Sequence, residues 1–243
     1  MSSGREGDTG GYHEVYYDRR GRRRRIAPGQ TPTVQRHYQE TTSVLELHPG
    51  DRVLELGCGL GRFTRLLVEA GLDVTAVDLA PSLVETLAAE LPQESGVELV
   101  CCPAETVRER VSGSFRAVVG FFFLHHLRQL EPVCRAAWSM LEPGGRVAFC
   151  EPNALNPLYY VQVTLTPGMS WRGEVGLPLM RAGRVFPAMT AAGLDACHHH
   201  LYGVLPPCVA NTRAGGRLDR MLEAVLPQRV TTAYGVFAAE RRQ

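Results

Sequence analysis

The chain contains no lysine: all 26 of its basic residues are arginine. This excludes a Schiff-base lysine, a lysine general base and the lysine that grips phosphate in a P-loop. Isoleucine is represented by Ile26 alone. Both scarce residue types have AT-rich codons, so their absence points to a GC-rich coding sequence more than to a chemical demand. Long apolar runs are also missing. The longest, AVVGFFFL at 117–124, is about eight residues, against the roughly 20 that cross a bilayer, and it fits a buried strand. The opening MSSGREGD has no apolar stretch of the signal-peptide kind. Seven cysteines, an odd number with no CxxC pair, build no disulfide framework. A reduced, cytoplasmic setting is the expectation.

What is present is enough for one sizeable core: 243 residues, 44% hydrophobic and 21% charged. The formal net charge of +1 is unevenly spread. Residues 1–30 carry Arg5, Arg19, Arg20 and Arg22–Arg25 against four acids, a local +3 that leaves −2 for the rest. Residues 1–30 read as a basic, disordered tail ahead of one domain over 31–243. The run Arg19–Arg25 is read as solvated rather than as a nucleic-acid contact, because the body it precedes is acidic.

From Thr33 to Leu47 the spacing predicts a helix, followed by a turn at 48–51. Strand and helix then alternate. DRVLELG, DVTAVD, VELVCC, FRAVVGFFFL and RVAFCEPN read as strands. GRFTRLLVEAG, SLVETLAAEL, AETVRERV and LRQLEPVCRAAWSML read as helices between them. The pattern predicts a doubly wound, mostly parallel α/β sheet with helices on both faces. LYGVL and AYGVF near the end suit an antiparallel pair. Residues 152–178 break the regularity with Pro, Gly and aromatics, as an active-site lid would.

The most informative segment is VLELGCGLG, with Asp78 at the tip of the following strand. Gly57, Gly59 and Gly61 allow a sharp turn and close approach of a ligand. The helix beginning near Arg62 points its positive end there, and a carboxylate at 78 can accept from both hydroxyls of a ribose. The third glycine arrives one residue early for a dinucleotide fingerprint. Glu55 would repel a pyrophosphate but suits a ligand carrying an ammonium group. That combination fits S-adenosylmethionine.

On these residues the chain resembles the class I S-adenosylmethionine-dependent methyltransferases. VLELGCGLGRF is similar to the family's first motif, VTAVDLAPSLV to its ribose-binding second, GFFFLHHL to its fourth, and LEPGGRVAF to the turn and strand after that. The resemblance implies a seven-stranded sheet whose last strand is antiparallel. It also implies that CPAETV frames adenine through Ala104 and Glu105, with Pro103 replacing the usual acid. Tyr38, Cys58, Leu79 and Phe121 complete the cofactor contacts expected alongside Glu55, Gly57, Gly59, Gly61 and Asp78.

Methyl transfer from a sulfonium needs alignment and exclusion of water, and a base only where the acceptor keeps its proton. His126, after the fourth strand, Glu151, ending the fifth, and Glu174, in the lid, are the candidate catalytic groups. His125, Asn153, Tyr159, Tyr160 and Trp171 are the candidate acceptor contacts. Cys197-His198-His199-His200 looks like a metal tract, but strand alternation splits it between two faces, and no metal is expected. Cys101 and Cys102 read as core residues. The expected function is methylation of a small organic acceptor at oxygen or carbon, in secondary metabolism, without nucleic acid or a membrane span. A macromolecular methyltransferase docking through the basic tail, and a non-catalytic binder of the nucleoside, are the alternatives.

Overall fold

The computed structural model describes residues 30–165 and 170–242; the basic tail up to residue 29 lies outside them. Thr31 opens α1 (Pro32–Thr42), its hydroxyl accepting the Val34 N–H while Pro32 occupies the first turn. The helix stops short of the predicted Leu47. Five strands and three helices follow: β1 (Arg52–Leu56), α2 (Thr64–Glu69), β2 (Asp73–Asp78), α3 (Pro81–Glu90), β3 (Glu98–Cys101), β4 (Phe115–Phe121), α4 (Glu131–Met140) and β5 (Leu141–Pro152). The predicted helix AETVRERV is only a 3₁₀ turn, Ala104–Glu109. Within the predicted lid lies a helix, α5 (Pro157–Leu165). Then come α6 (Ala182–Ala191), β6 (Leu194–Tyr202), α7 (Pro207–Ala210), α8 (Arg213–Val225), α9 (Gln228–Thr231) and β7 (Tyr234–Arg241).

The seven strands lie in the order β3-β2-β1-β4-β5-β7-β6. All neighbours run parallel except β7, antiparallel to both β5 and β6. The predicted LYGVL–AYGVF pairing is present, with Tyr202 opposite Tyr234. β5 begins at Leu141 instead of Arg146, and its register against β4 shifts between Phe115 and Ala117 to accommodate residues 142–145.

Strand alternation divides the core into two layers. Leu54, Leu56, Val118 and Phe149 meet α4 and α6 on one face. Val53, Ala117, Val119 and Phe121 meet α1 and α2 on the other. From β1 the chain winds outward to β2 and β3, then returns to lay β4 and β5 on the other side. The crevice between β1 and β4 is therefore the switch point of the sheet, where ligands bind in this architecture.

Candidate active site

The glycine loop leaves β1 at that crevice. Gly57 has φ +74° and Gly59 φ +55°, a left-handed backbone that side chains resist. A Cβ on Gly57 would lie 2.7 Å from the Phe123 ring, whereas one on Gly59 would meet nothing within 4 Å. The loop is thus packed on its Phe123 side and open at Gly59. The Gly57 and Cys58 N–H groups donate to the Val77 carbonyl at 2.8 and 3.0 Å, which pins the loop to the end of β2. Asp78 Oδ2 accepts the Gly59 N–H at 2.8 Å and Oδ1 the Ala80 N–H at 2.9 Å. Burial raises the Asp78 pKa, against the pull of these amides. Each oxygen keeps a lone pair for a ligand hydroxyl.

Glu55 is buried on the α2 face and accepts the Thr64 hydroxyl at 2.6 Å. Burial lifts its pKa to about 7; the Thr64 hydrogen bond opposes this and the Asp78 charge adds to it. A carboxyl so poised becomes a better anion when a cationic group arrives. An open cradle at Gly59, a two-armed carboxylate at Asp78 and an acid at Glu55 fit the ribose and ammonium of S-adenosylmethionine.

Of the other expected cofactor contacts, Tyr38 and Phe121 lie away from the loop. Tyr38 shares a groove with Leu47, Pro49, Ala70 and Leu72, at the edge where β1 and β2 begin, the edge opposite the loop. Phe121 points into the core, stacked on Phe63 at 3.9 Å between ring centroids. Cys58 is buried, and both its backbone N–H and its carbonyl are used in shaping the loop. Leu79 is half-buried beside Asp78, Ala104 is buried, and Glu105 is exposed. Of the two cysteines read as core, Cys102 is buried but Cys101 is exposed.

Beyond β4 the chain turns sharply: Phe122 takes φ +56°, and a 3₁₀ turn, Leu124–His126, follows. Glu151, fully buried at the end of β5, anchors that turn. Its Oε1 accepts the N–H groups of Phe123 and Leu124 at 2.9 and 2.6 Å, and Oε2 accepts the His125 N–H at 3.3 Å. The same Oε2 lies 2.6 Å from His125 Nδ1. His125 Nε2 is 3.2 Å from Glu174 Oε2, which also accepts the Tyr159 hydroxyl at 3.3 Å. A string Glu151–His125–Glu174–Tyr159 therefore runs from the strand end into the lid. Burial alone would lower the His125 pKa, but the two carboxylates carry it to about 9. Burial pushes the Tyr159 phenol up strongly.

This arrangement corrects three expectations. Glu151 is an anchor whose oxygens are committed to the turn, so it does not reach a reacting atom. His125 is buried with both ring nitrogens engaged, so it positions its neighbours instead of touching an acceptor. Asn153 is also structural. Its Nδ2 donates to the Arg229 and Thr232 carbonyls at 3.1 and 2.9 Å, and its Oδ1 accepts the Leu155 N–H. Glu174, half-buried His126 and the rings of Tyr159, Tyr160 and Trp171 do gather on the lid side. His126 Nδ1 lies 2.7 Å from the Gly173 carbonyl, and Tyr160 and Trp171 are 5.8 Å apart. One nitrogen of His125, one of His126 and an oxygen of Glu174 lie within 4.8 Å of one another. The histidine tract divides as expected: His198 and His200 share a face, while His199 stacks on Phe237.

A second buried group was not anticipated. His37 Nδ1 lies 2.8 Å from the Tyr202 hydroxyl, itself 3.0 Å from Cys150 Sγ. Burial, with Arg36 and Arg62 nearby, lowers the His37 pKa to about 3, so this imidazole is neutral. No local motif marks it; only the packing of α1 across β5, β6 and β7 assembles it.

The fold, the glycine loop and Asp78 have the arrangement of a class I methyltransferase fold. A methyltransferase domain model matches residues 54–149, from β1 through most of β5. A ubiquinone biosynthesis O-methyltransferase of Xanthomonas axonopodis pv. citri is 38% identical over 100 residues, 40% of this chain and 41% of the relative. The chain thus spans about two-fifths of the length of the curated relatives it matches. Among solved structures, a Thermotoga maritima SAM-dependent methyltransferase superposes with a TM-score of 0.66 at 14% identity, covering 95% of this chain and 100% of that one. A Haemonchus contortus phosphoethanolamine N-methyltransferase solved with S-adenosyl-L-methionine gives 0.63 at 16%, covering 98% and 58%. Residues 54–149 thus match a methyltransferase domain, on a fold shared with solved S-adenosylmethionine-dependent methyltransferases, and S-adenosylmethionine is the cofactor of that domain. Among the described residues no helix is long and apolar enough to cross a membrane.

Proposed function

We propose that this chain methylates a hydroxyl oxygen of a small, flat acceptor held between the Leu124–His126 turn and residues 153–165 and 170–177. The observation that carries this reading is the buried Glu151–His125–Glu174–Tyr159 string. It lies two residues from Phe123, whose ring closes the packed side of the glycine loop. Methylating a neutral hydroxyl requires its proton to leave, and this string brings proton-accepting groups to the carboxyl edge beside the cofactor loop. S-adenosylmethionine supplies an already activated methyl group. His125, clamped at both nitrogens, fixes Glu174; Glu174 and His126 bind the acceptor hydroxyl and take its proton. Tyr160 and Trp171 offer a flat apolar wall, and the turn and lid exclude water. The matched relatives named as O-methyltransferases support oxygen over carbon as the acceptor atom.

The test is to incubate the protein with S-adenosylmethionine and a panel of phenols and ortho-diphenols, reading methyl ethers and S-adenosylhomocysteine by mass spectrometry. An O-methylated product is expected. Glu174→Gln is expected to slow turnover about 100-fold while leaving cofactor affinity within about twofold. Tight cofactor binding with no product from any hydroxylated acceptor, or a methyl found on carbon or nitrogen, overturns the reading.

A further inference from the structure

We propose that His125, His126 and Glu174 form a binding site for a divalent first-row transition ion, with zinc the best match to the ligand set. His125 Nε2 and Glu174 Oε2 are 3.2 Å apart. Ligand atoms about 2.1 Å from a tetrahedral ion stand about 3.4 Å from each other, so this pair already has the separation of two ligands on one ion. Bringing the third donor to that spacing from within 4.8 Å requires closure of at most about 1.4 Å. That donor belongs to His126, the half-buried member of the three.

The groups that orient metal ligands are in place too. Metal-bound imidazoles ordinarily donate their other N–H to a carboxylate or a backbone carbonyl. His125 Nδ1 faces Glu151 Oε2 at 2.6 Å, and His126 Nδ1 faces the Gly173 carbonyl at 2.7 Å. Each partner sets Nδ1 as the protonated nitrogen, so each ring's lone pair is at Nε2. The Gly176 N–H donates to the His125 carbonyl at 2.8 Å, which ties the segment bearing Glu174 to the turn bearing both histidines.

Charge points the same way. Glu151 and Glu174 are buried, and among the described ion pairs each meets only His125. Two buried acidic side chains meeting at one imidazole form a site that a cation would complete. Two imidazoles and one carboxylate leave a coordination position open. A hydroxyl bound there would be acidified, as ion-bound water is. That last step rests on the oxygen-methylation reading; binding of the ion does not.

The experiment uses metal-stripped full-length protein without acceptor, titrated with Zn²⁺ by calorimetry and with Co²⁺ by visible absorption. One ion per chain is expected, with the d–d bands of four- or five-coordinate cobalt. Glu174→Gln and His126→Ala should each weaken Zn²⁺ binding about 100-fold or more, and Glu151→Gln about 10- to 100-fold. S-adenosylmethionine affinity, measured in parallel, reports that each variant is folded; should Glu174→Gln fail there, His126→Ala decides alone. His198→Ala is expected to bind as the wild type does. The proposal is overturned if the wild type takes up no stoichiometric ion. It is equally overturned if folded His126→Ala and Glu174→Gln bind like wild type, or if His198→Ala is the variant that loses the ion. Stoichiometric binding with no methyl transfer to any hydroxyl would leave the ion site standing and sink the acceptor reading.

Discussion

Asp78 and Glu55 illustrate how two carboxylates in one pocket divide their work. Asp78 is held at the tip of β2 by two backbone amides, so its geometry is set before a ligand arrives. Asp78→Ala is expected to weaken S-adenosylmethionine binding by about 100-fold, since it removes a charged acceptor from two hydroxyls; calorimetry checks this. Glu55, poised at about 7, makes cofactor affinity depend on pH. Its folded pKa lies above its unfolded value, so the protein favours the protonated form and loses that stability as pH rises through about 7. A cationic ligand favours the ionised form. Affinity for S-adenosylmethionine is therefore expected to rise between pH 6 and pH 8, and to become flat across this range in Glu55→Gln. A parallel rise in the variant would assign the effect to another group. At Gly57 the constraint is steric: with φ +74° and Phe123 at 2.7 Å from a built Cβ, Gly57→Ala should cost about 2–4 kcal/mol in urea denaturation.

At the scale of elements, α8 is folded with its polar side inward. Asp219 and Glu223 face α1, where Arg36 meets them at 2.8 and 2.7 Å, and Asp219 Oδ1 also accepts the N–H groups of Val204 and Leu205. Leu218, Met221 and Val225 are left exposed, the last by 77%. Spacing alone would turn the apolar side of this helix to the core; Arg36, on α1 far earlier in the chain, draws the acidic side inward instead. Arg36→Met should leave Asp219 buried and unpaired and destabilise the protein by about 3 kcal/mol, with proteolysis beginning near α8. Asn153 plays the matching part under the lid. Asn153→Ala takes one donor from each of the Arg229 and Thr232 carbonyls, the second of which keeps Asn156 Nδ2 at 3.0 Å, and should cost about 1–2 kcal/mol with cofactor affinity unchanged, because the glycine loop does not depend on it.

Over the whole molecule, the switch point between β1 and β4 brings together residues far apart in the chain. Gly57 and Phe123 pack together there, and Glu151 and Glu174 meet through His125. The mostly parallel sheet follows from the alternation of apolar strands and amphipathic helices, and it was legible in the sequence, as was the final antiparallel pair; the order of the strands appears only in the fold. The cofactor loop was legible too, because a loop that approaches a ligand closely needs glycines at fixed spacing and a carboxylate at the next strand tip. Tyr38 and Phe121 were misplaced for the opposite reason. Neither carries a local constraint, and which way each ring points was settled by the groove at Ala70 and Leu72 and by the stack on Phe63.

The sequence by itself determined the fold class and the glycine loop with Asp78 and Glu55 beside it, because backbone conformation and strand periodicity are short-range properties written into neighbouring residues. Only the tertiary structure decided the roles of the conspicuous polar groups beyond β4. Glu151 became an anchor, Asn153 a brace, and His125 the centre of a string ending in Glu174. These roles depend on which donors lie within about 3 Å of a buried oxygen. Residues 26 and 49 positions apart in the chain meet at that distance only when the sheet has formed.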